Sequence, residues 1–105
     1  APKGCVCTRA ALLAYCAGRN AAHKVTKDST CLVASAHTFD PALGDFVATL
    51  LAGGTLALVP RALLLPSLGE ALQQTRATHV LTTPSLFGTL GGRYAPSEFP
   101  CLCVV

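Results

Sequence analysis

A carboxylate stands at the predicted start of a helix, directly after an apolar segment of this 105-residue chain. Residues 31–36 are apolar enough for a buried strand, and Asp40 follows them with Pro41 at the first position of a predicted helix. The helix macrodipole and the free N–H groups of the first turn keep such a carboxylate ionised, so that it can bind a cation. Since α/β folds place ligands beyond the carboxyl ends of strands, we predict this role for Asp40, with a plain N-cap as the alternative.

Strand-like and helix-like segments alternate along the chain. Because the strand-like segments are apolar throughout, the pattern is typical of a parallel sheet with helices on both faces. We therefore predict an α/β fold with a parallel sheet of about five strands, in a single unit over residues 1–105. The predicted strands lie at residues 5–7, 31–36, 55–59, 79–82 and 101–105. Four helices are predicted between them. The first follows a Thr8 cap at residues 9–22, the second runs from Asp40 to the Gly53-Gly54 pair, the third follows a Ser67 capping box and ends at about residue 77, and the fourth lies at residues 84–90.

The amino-acid composition indicates a globular protein and gives no sign of a nucleic-acid-binding or membrane-spanning one. The chain is 51% hydrophobic and only 12% charged, which favours a globular core and indicates apolar surface that a larger parent protein would cover. We therefore expect the isolated chain to self-associate. The net charge of +3 comes from scattered residues, so no nucleic-acid partner is predicted. The longest apolar stretch, residues 46–60, is interrupted by glycines and threonines, and no membrane helix is predicted.

Six cysteines raise the alternatives of zinc, disulfides and simple burial. Two pairs, Cys5 with Cys7 and Cys101 with Cys103, have one residue between their members, whereas structural zinc sites favour two to four. Residues two apart on a strand share a face, which suits small buried hydrophobes. We predict buried free thiols and a reducing, cytoplasmic setting.

Three motifs follow one another in a recognisable order: Pro2-Lys3-Gly4, then Thr38-Phe39-Asp40-Pro41-Ala42-Leu43-Gly44-Asp45-Phe46, then Thr78-His79-Val80-Leu81-Thr82-Thr83-Pro84-Ser85. In this order they resemble the adenylation domain of non-ribosomal peptide synthetases, within the superfamily of AMP-forming acyl and aminoacyl adenylating enzymes. Such domains are several times longer. The resemblance therefore implies that the chain is an internal fragment of the large N-terminal part of such a domain.

The resemblance assigns roles to individual residues. It implies that Lys3 ends a loop that binds ATP phosphates, although the Ser/Thr/Gly-rich part of that loop is absent; a solvated terminal charge is the alternative. It implies that Asp40 holds the substrate's α-ammonium group and that Phe39 packs beside the carboxyl group being activated. The pocket for the substrate side chain would be lined by Pro41, Gly44 and Thr82. Ordinary structural roles remain open for each of these residues.

The activity that the resemblance implies is that of a parent enzyme. With ATP and Mg²⁺, it would activate an amino acid as aminoacyl-AMP and transfer it to the phosphopantetheine thiol of a carrier protein. The remainder of the adenylation domain would be the direct partner, and the fragment alone is expected to be inactive. No metal ligand is assigned to the chain. The alternatives are a fragment of an acyl-CoA or aryl-CoA ligase, and a non-catalytic α/β interaction module.

Two further expectations concern titratable residues. Asp45, five residues beyond Asp40, is predicted to lie on a solvated helix face. His23, His37 and His79 have no partner at the spacing of a metal site or a catalytic triad, and we predict surface or satisfied core roles for all three.

Overall fold

The fold is an alternation of helices and short parallel strands, seen in a computed structural model that describes residues 1–91 and 93–103. In chain order its elements are α1 (Arg9–His23), β1 (Thr30–Leu32), α2 (Asp40–Leu51), β2 (Thr55–Ala57), α3 (Arg61–Leu64), α4 (Leu68–Thr75), β3 (His79–Val80) and α5 (Pro84–Phe87), with 3₁₀ turns at Gly88–Leu90 and Pro96–Glu98.

The three strands form one parallel sheet in the order β2-β1-β3. Its register places Leu32 beside Ala57 on one neighbour and beside Val80 on the other. The predicted α/β class and the parallel sheet are confirmed, but the prediction of five strands is wrong for the described residues. Residues 5–7 are exposed irregular chain that leads into α1, and residues 101–103 form a turn and irregular chain. Val104 and Val105, which belong to the last predicted strand, lie outside the described residues.

Side-chain caps begin three of the helices: α5, where the Thr83 hydroxyl accepts from the Leu86 N–H at 3.3 Å, and two whose caps the sequence predicts. The Thr8 hydroxyl accepts a hydrogen bond from the Ala11 N–H at 3.1 Å and starts α1. The Ser67 hydroxyl accepts from the Glu70 N–H at 3.4 Å and starts α4. Helix α3, which begins just after Pro60, was not predicted from the sequence.

Apolar residues pack on both faces of the sheet. Leu32 of β1 joins a cluster with Leu68 and Leu72 of α4. Cys31 precedes it in the strand and points to the opposite face, since strand side chains alternate, and Cys31 is also buried. Helices α1 and α2 pack against each other with Cys16, Ala42 and Ala48 buried. The helices therefore cover both faces, as predicted.

All six cysteines are free thiols, but only some are buried. Cys16 and Cys31 lie in the core and Cys101 is half-buried, whereas Cys5, Cys7 and Cys103 are exposed. The prediction of buried thiols is wrong for these last three, because the strands that were to bury them are not formed in the described residues.

Many large apolar side chains lie on the surface. Leu43, Leu50, Leu51 and Leu58 are each more than half exposed. This agrees with the apolar surface expected from the low charge, while self-association of the isolated chain stays a prediction. In the described part of the chain, no helix combines the length and the apolar character needed to cross a membrane.

Gly69→Ala is expected to destabilise the protein by up to about 2 kcal/mol, because the usual cost of overpacking, about 1–3 kcal/mol, is offset by about 1 kcal/mol of helix propensity. Gly69 is buried in α4, and a Cβ there would overlap the ring of Tyr94. Tyr94 packs on Phe99 with ring centroids 5.3 Å apart, so displacing it disturbs the chain beyond α5. Urea denaturation measures the change in the free energy of unfolding.

Gly18→Ala is the matched control, since a Cβ at Gly18 of α1 meets nothing within 4 Å. We expect this variant to be more stable than the wild type by about 1 kcal/mol, because alanine is a better helix former than glycine. Equal effects of the two substitutions would contradict the assigned contact between Gly69 and Tyr94.

Candidate functional site

The sheet brings two of the candidate residues to the same edge. Strands β1 and β3 are parallel neighbours in which Leu32 lies beside Val80. Asp40 follows the carboxyl end of β1, and Thr82 follows the carboxyl end of β3. In α/β sheets this edge is where ligands bind.

Asp40 is the first residue of α2 and not its N-cap, which corrects the predicted boundary by one residue. The N-cap is Phe39, and its side chain makes no capping hydrogen bond. The Ala42 N–H donates to the Phe39 carbonyl at 3.0 Å, and no capping hydrogen bond of the Asp40 side chain is found in the described chain. The exposed carboxylate of Asp40 therefore stays available to a ligand at the positive end of the helix.

Phe39 also faces outward. Its side chain is 59% exposed, so it is not part of the core of the described chain. Pro41 is half-buried in the first turn of α2, where its ring fits the helical backbone. An exposed aromatic side chain next to an exposed carboxylate offers an apolar and an anionic group side by side.

Gly44 is buried in α2 because a side chain from α1 lies over it. A Cβ at Gly44 would lie 3.0 Å from the Tyr15 hydroxyl oxygen and 3.1 Å from its Cε1 atom. This close approach of Tyr15 accounts for the glycine within the helix. Tyr15 is itself half exposed, and it lines a cleft of about 360 Å³ with Gly18 and Arg19 of α1 and with Leu81 beyond β3.

Gly44→Ala and Tyr15→Ala are expected to be coupled in their effects on stability. In a Tyr15→Ala background, Gly44→Ala should stabilise the protein by about 1 kcal/mol, the difference in helix propensity. With Tyr15 present, the new methyl group must displace the ring, and most of that gain should be lost. Urea denaturation of the four proteins of this double-mutant cycle measures the coupling free energy. Additive effects would show that the Tyr15 ring does not constrain residue 44.

Thr82 has an unpaired hydroxyl. Its side chain is half-buried, and its Oγ1 atom is buried with no hydrogen-bond partner in the described chain. A buried hydroxyl without a partner costs free energy, so Thr82 is suited to a ligand that supplies one.

Asp45 is buried and ion-paired, so the prediction of a solvated position is wrong. It is 1% exposed, and its Oδ1 atom pairs with Nη2 of Arg19 from α1, which is 10% exposed. Burial raises the pKa of Asp45 to about 6, and the charge of Arg19 opposes that rise. The sequence carries a partial signal, since Ala42, Asp45 and Thr49 recur at helical spacing and all three are buried.

His79 has a structural role, as predicted. It is buried in β3, its Nε2 atom lies 2.9 Å from the His23 carbonyl oxygen, and its Nδ1 atom lies 2.7 Å from the Thr78 hydroxyl. His23 and His37 are exposed.

Comparison with known proteins shows which family the chain belongs to. The family model described as AMP-binding enzyme matches residues 1–100. The chain belongs to the AMP-binding enzyme family. Together with the family model, the non-ribosomal peptide synthetases among its relatives confirm the resemblance to their adenylation domains.

Two curated relatives illustrate this membership. The chain is 37% identical to the non-ribosomal peptide synthetase agiA of Aspergillus flavus over 107 residues, which is 99% of this chain and 1% of that protein. It is 33% identical to the ferrichrome siderophore peptide synthetase of Mycosarcoma maydis over 110 residues, 99% of this chain and 3% of that protein. The chain thus spans only a few hundredths of the length of these two relatives.

A solved structure shares the fold. The crystal structure of CmiS6 superposes with a TM-score of 0.71 at 29% sequence identity, over 86% of this chain and 23% of that one. The α/β fold of this chain is therefore also found in a solved structure.

The described chain offers few candidate residues for binding ATP. Lys3 is exposed in irregular chain, and a Cβ at the neighbouring Gly4 would meet nothing within 4 Å. Around Gly4 the described residues therefore form no closed cradle for phosphates. Among those residues there is also no cluster of three or more His, Cys, Asp or Glu side chains.

Proposed function

We propose that the chain is a fragment of the large N-terminal part of an adenylation domain that activates an amino acid as aminoacyl-AMP. Family membership supports the adenylating chemistry. The observation that carries the choice of an amino acid is the exposed carboxylate of Asp40 at the ligand-binding edge of the sheet. In this proposal ATP is the second substrate, and a carrier protein's phosphopantetheine thiol receives the acyl group.

The amino acid would be held through its charged nitrogen. The α-ammonium donates hydrogen bonds to the Asp40 carboxylate, and a charge-assisted bond of this kind is about twice as strong as a neutral one. The exposed ring of Phe39 lies next in sequence and would pack beside the substrate's carboxyl group. This places the reacting carboxylate at a fixed distance from Asp40.

Three residues would form part of the pocket for the side chain of the amino acid. Pro41 lies in the first turn of α2, Gly44 lies one turn further under Tyr15, and Thr82 lies at the end of β3 with an unpaired hydroxyl. Because Tyr15 lies over Gly44, the wall at this point is an aromatic ring from α1.

The reaction joins the amino acid to ATP. An oxygen of its carboxylate attacks the α-phosphorus, the bond to the bridging oxygen breaks, and pyrophosphate leaves with the electron pair. The thiol sulfur of the carrier then attacks the acyl carbon, and AMP leaves. Lys3 is proposed to contact the phosphates. No Mg²⁺ ligand is proposed among the described residues, so no step is assigned to the metal ion.

Two other functions are less well supported. An acyl-CoA or aryl-CoA ligase of the same family needs no carboxylate opposite an ammonium group. The presence of Asp40 therefore favours an amino acid as the substrate. A non-catalytic interaction module is less well supported because the chain belongs to an enzyme family, and such a module would leave the unpaired Thr82 hydroxyl without a role.

Pyrophosphate exchange tests the proposal in the intact enzyme that contains this chain. The measurement compares amino acids with their deaminated analogues, which have the same side chain and carboxylate but no α-ammonium. We expect exchange with an amino acid and a loss of at least tenfold with its analogue, because a hydrogen bond to a charged group is worth roughly 1.5–3 kcal/mol. Exchange with simple carboxylic acids only would support the ligase alternative, and no exchange with either class would overturn the proposal. The isolated chain is expected to show none.

A further inference from the structure

Helix α1 holds α2 at three points. The Tyr15 ring lies over Gly44, Arg19 pairs with Asp45, and the Asn20 side-chain amide donates to the Ala48 carbonyl at 2.8 Å. Tyr15 and Arg19 are four residues apart, so they lie on the same face of α1. These three side-chain contacts on α2 begin about one turn beyond Asp40.

In the first turn of α2, Ala42 is the buried residue. Phe39 provides no side-chain cap, Pro41 has no N–H, and both Phe39 and Asp40 are exposed. A helix transmits displacement along its axis, and Asp40 is only about 7.5 Å from Asp45 at 1.5 Å per residue. The contacts at residues 44–48 therefore act together with the buried Ala42 to set the placement of Asp40.

Of the three side-chain contacts between α1 and α2 named above, the one between Arg19 and Asp45 joins two charged groups. Arg19 and Asp45 are 10% and 1% exposed. The Arg19 Nη1 and Asp45 Oδ2 atoms are buried without a hydrogen-bond partner among the described residues, so each charge depends on the other. Removing one partner of a buried pair leaves an uncompensated charge, and the helices must shift or admit water to solvate it.

We propose that Arg19 is a positioning residue for the amino-acid substrate: by pairing with Asp45 it fixes the first turn of α2 and, with it, the carboxylate of Asp40. This inference rests on the proposed function, since it assumes that Asp40 binds the α-ammonium. Arg19 itself does not touch the substrate in this account.

Steady-state pyrophosphate exchange in the intact enzyme tests the inference with Arg19→Met, Asp40→Asn and the double variant. We expect Arg19→Met to raise KM for the amino acid about tenfold, because a small misplacement of a binding group is costly, while KM for ATP changes less than about twofold. In the Asp40→Asn background, Arg19→Met should have almost no further effect on KM for the amino acid. Arg19→Lys, which keeps the charge, should recover most of the wild-type value.

Arg9→Met is the matched control, since Arg9 is the exposed first residue of the same helix, and it should leave both KM values unchanged. If Arg19→Met does not fold, Asp45→Asn removes the other charge with little change of shape and serves in the same comparison. Equal increases in both KM values, or the same loss from Arg19→Met with and without the Asp40 carboxylate, would overturn the positioning role. An unchanged KM in Asp40→Asn alone would instead refute the proposed function.

Discussion

The substitution Asp40→Asn is expected to lower amino-acid-dependent pyrophosphate exchange at least tenfold in the intact enzyme. The substitution keeps the shape of the side chain but removes the charge that would face the α-ammonium. A hydrogen bond between charged groups is worth roughly 1.5–3 kcal/mol, and each 1.4 kcal/mol corresponds to a factor of ten. This loss would appear in kcat/KM for the amino acid.

The stability of the Asp40→Asn variant should change little. Asp40 is exposed and is not the N-cap of α2, so the variant loses only the interaction of a surface charge with the helix dipole, about 0.3–1 kcal/mol. Exchange with the deaminated analogue should be far less affected than exchange with the amino acid. Equal losses for the two substrates, or no loss for the amino acid, would leave Asp40 with a purely structural role.

The second large effect concerns the buried carboxyl group of Asp45. Its pKa is raised from 3.8 in the unfolded chain to about 6 in the folded one, because burial disfavours the charged form more than Arg19 favours it. The folded state therefore binds more protons than the unfolded state between these two values. The contribution of Asp45 to the free energy of unfolding should fall by about 3 kcal/mol as the pH rises through this window.

Asp45→Asn isolates this contribution, because asparagine does not titrate. Urea denaturation at about pH 4 and about pH 7 should show that the wild type loses more stability than the variant over this interval, by about 2 kcal/mol, because pH 4 already lies just above the unfolded value. The carboxyl chemical shift of Asp45 should titrate near the raised value, and the midpoint should move higher in Arg19→Met. A midpoint at or below the unfolded value, with wild-type stability rising over this pH range relative to Asp45→Asn, would contradict the account.

Local signals explain which elements could be predicted from the sequence. Thr8 and Ser67 are side chains that cap the helix they precede, so the starts of α1 and α4 can be predicted from a few adjacent residues. The central segments of the sheet contain long apolar runs, which predicted β1 and β2 within a few residues. The strand predicted at residues 5–7 rested on three residues alone. Such a short segment does not show whether a neighbouring strand is there to pair with it, and a strand forms only where one is.

The errors at the site have a different cause, because they depend on contacts between distant residues. Asp45 was predicted to be solvated because a charge in the middle of a helix usually is, but its partner Arg19 lies 26 residues earlier in the chain. The reason for Gly44 likewise lies in Tyr15 of another helix. The motif residues Asp40 and Thr82 could be placed at one sheet edge because the parallel topology alone determines that edge.

The most direct test of the central claim is the structure of the intact adenylation enzyme with its amino acid bound. The account predicts that the α-nitrogen lies within about 3 Å of a carboxylate oxygen of Asp40, at hydrogen-bond distance, with the ring of Phe39 beside the substrate carboxyl group. An amino acid bound elsewhere, with Asp40 facing solvent and its carboxylate beyond hydrogen-bond reach of the nitrogen, would contradict it.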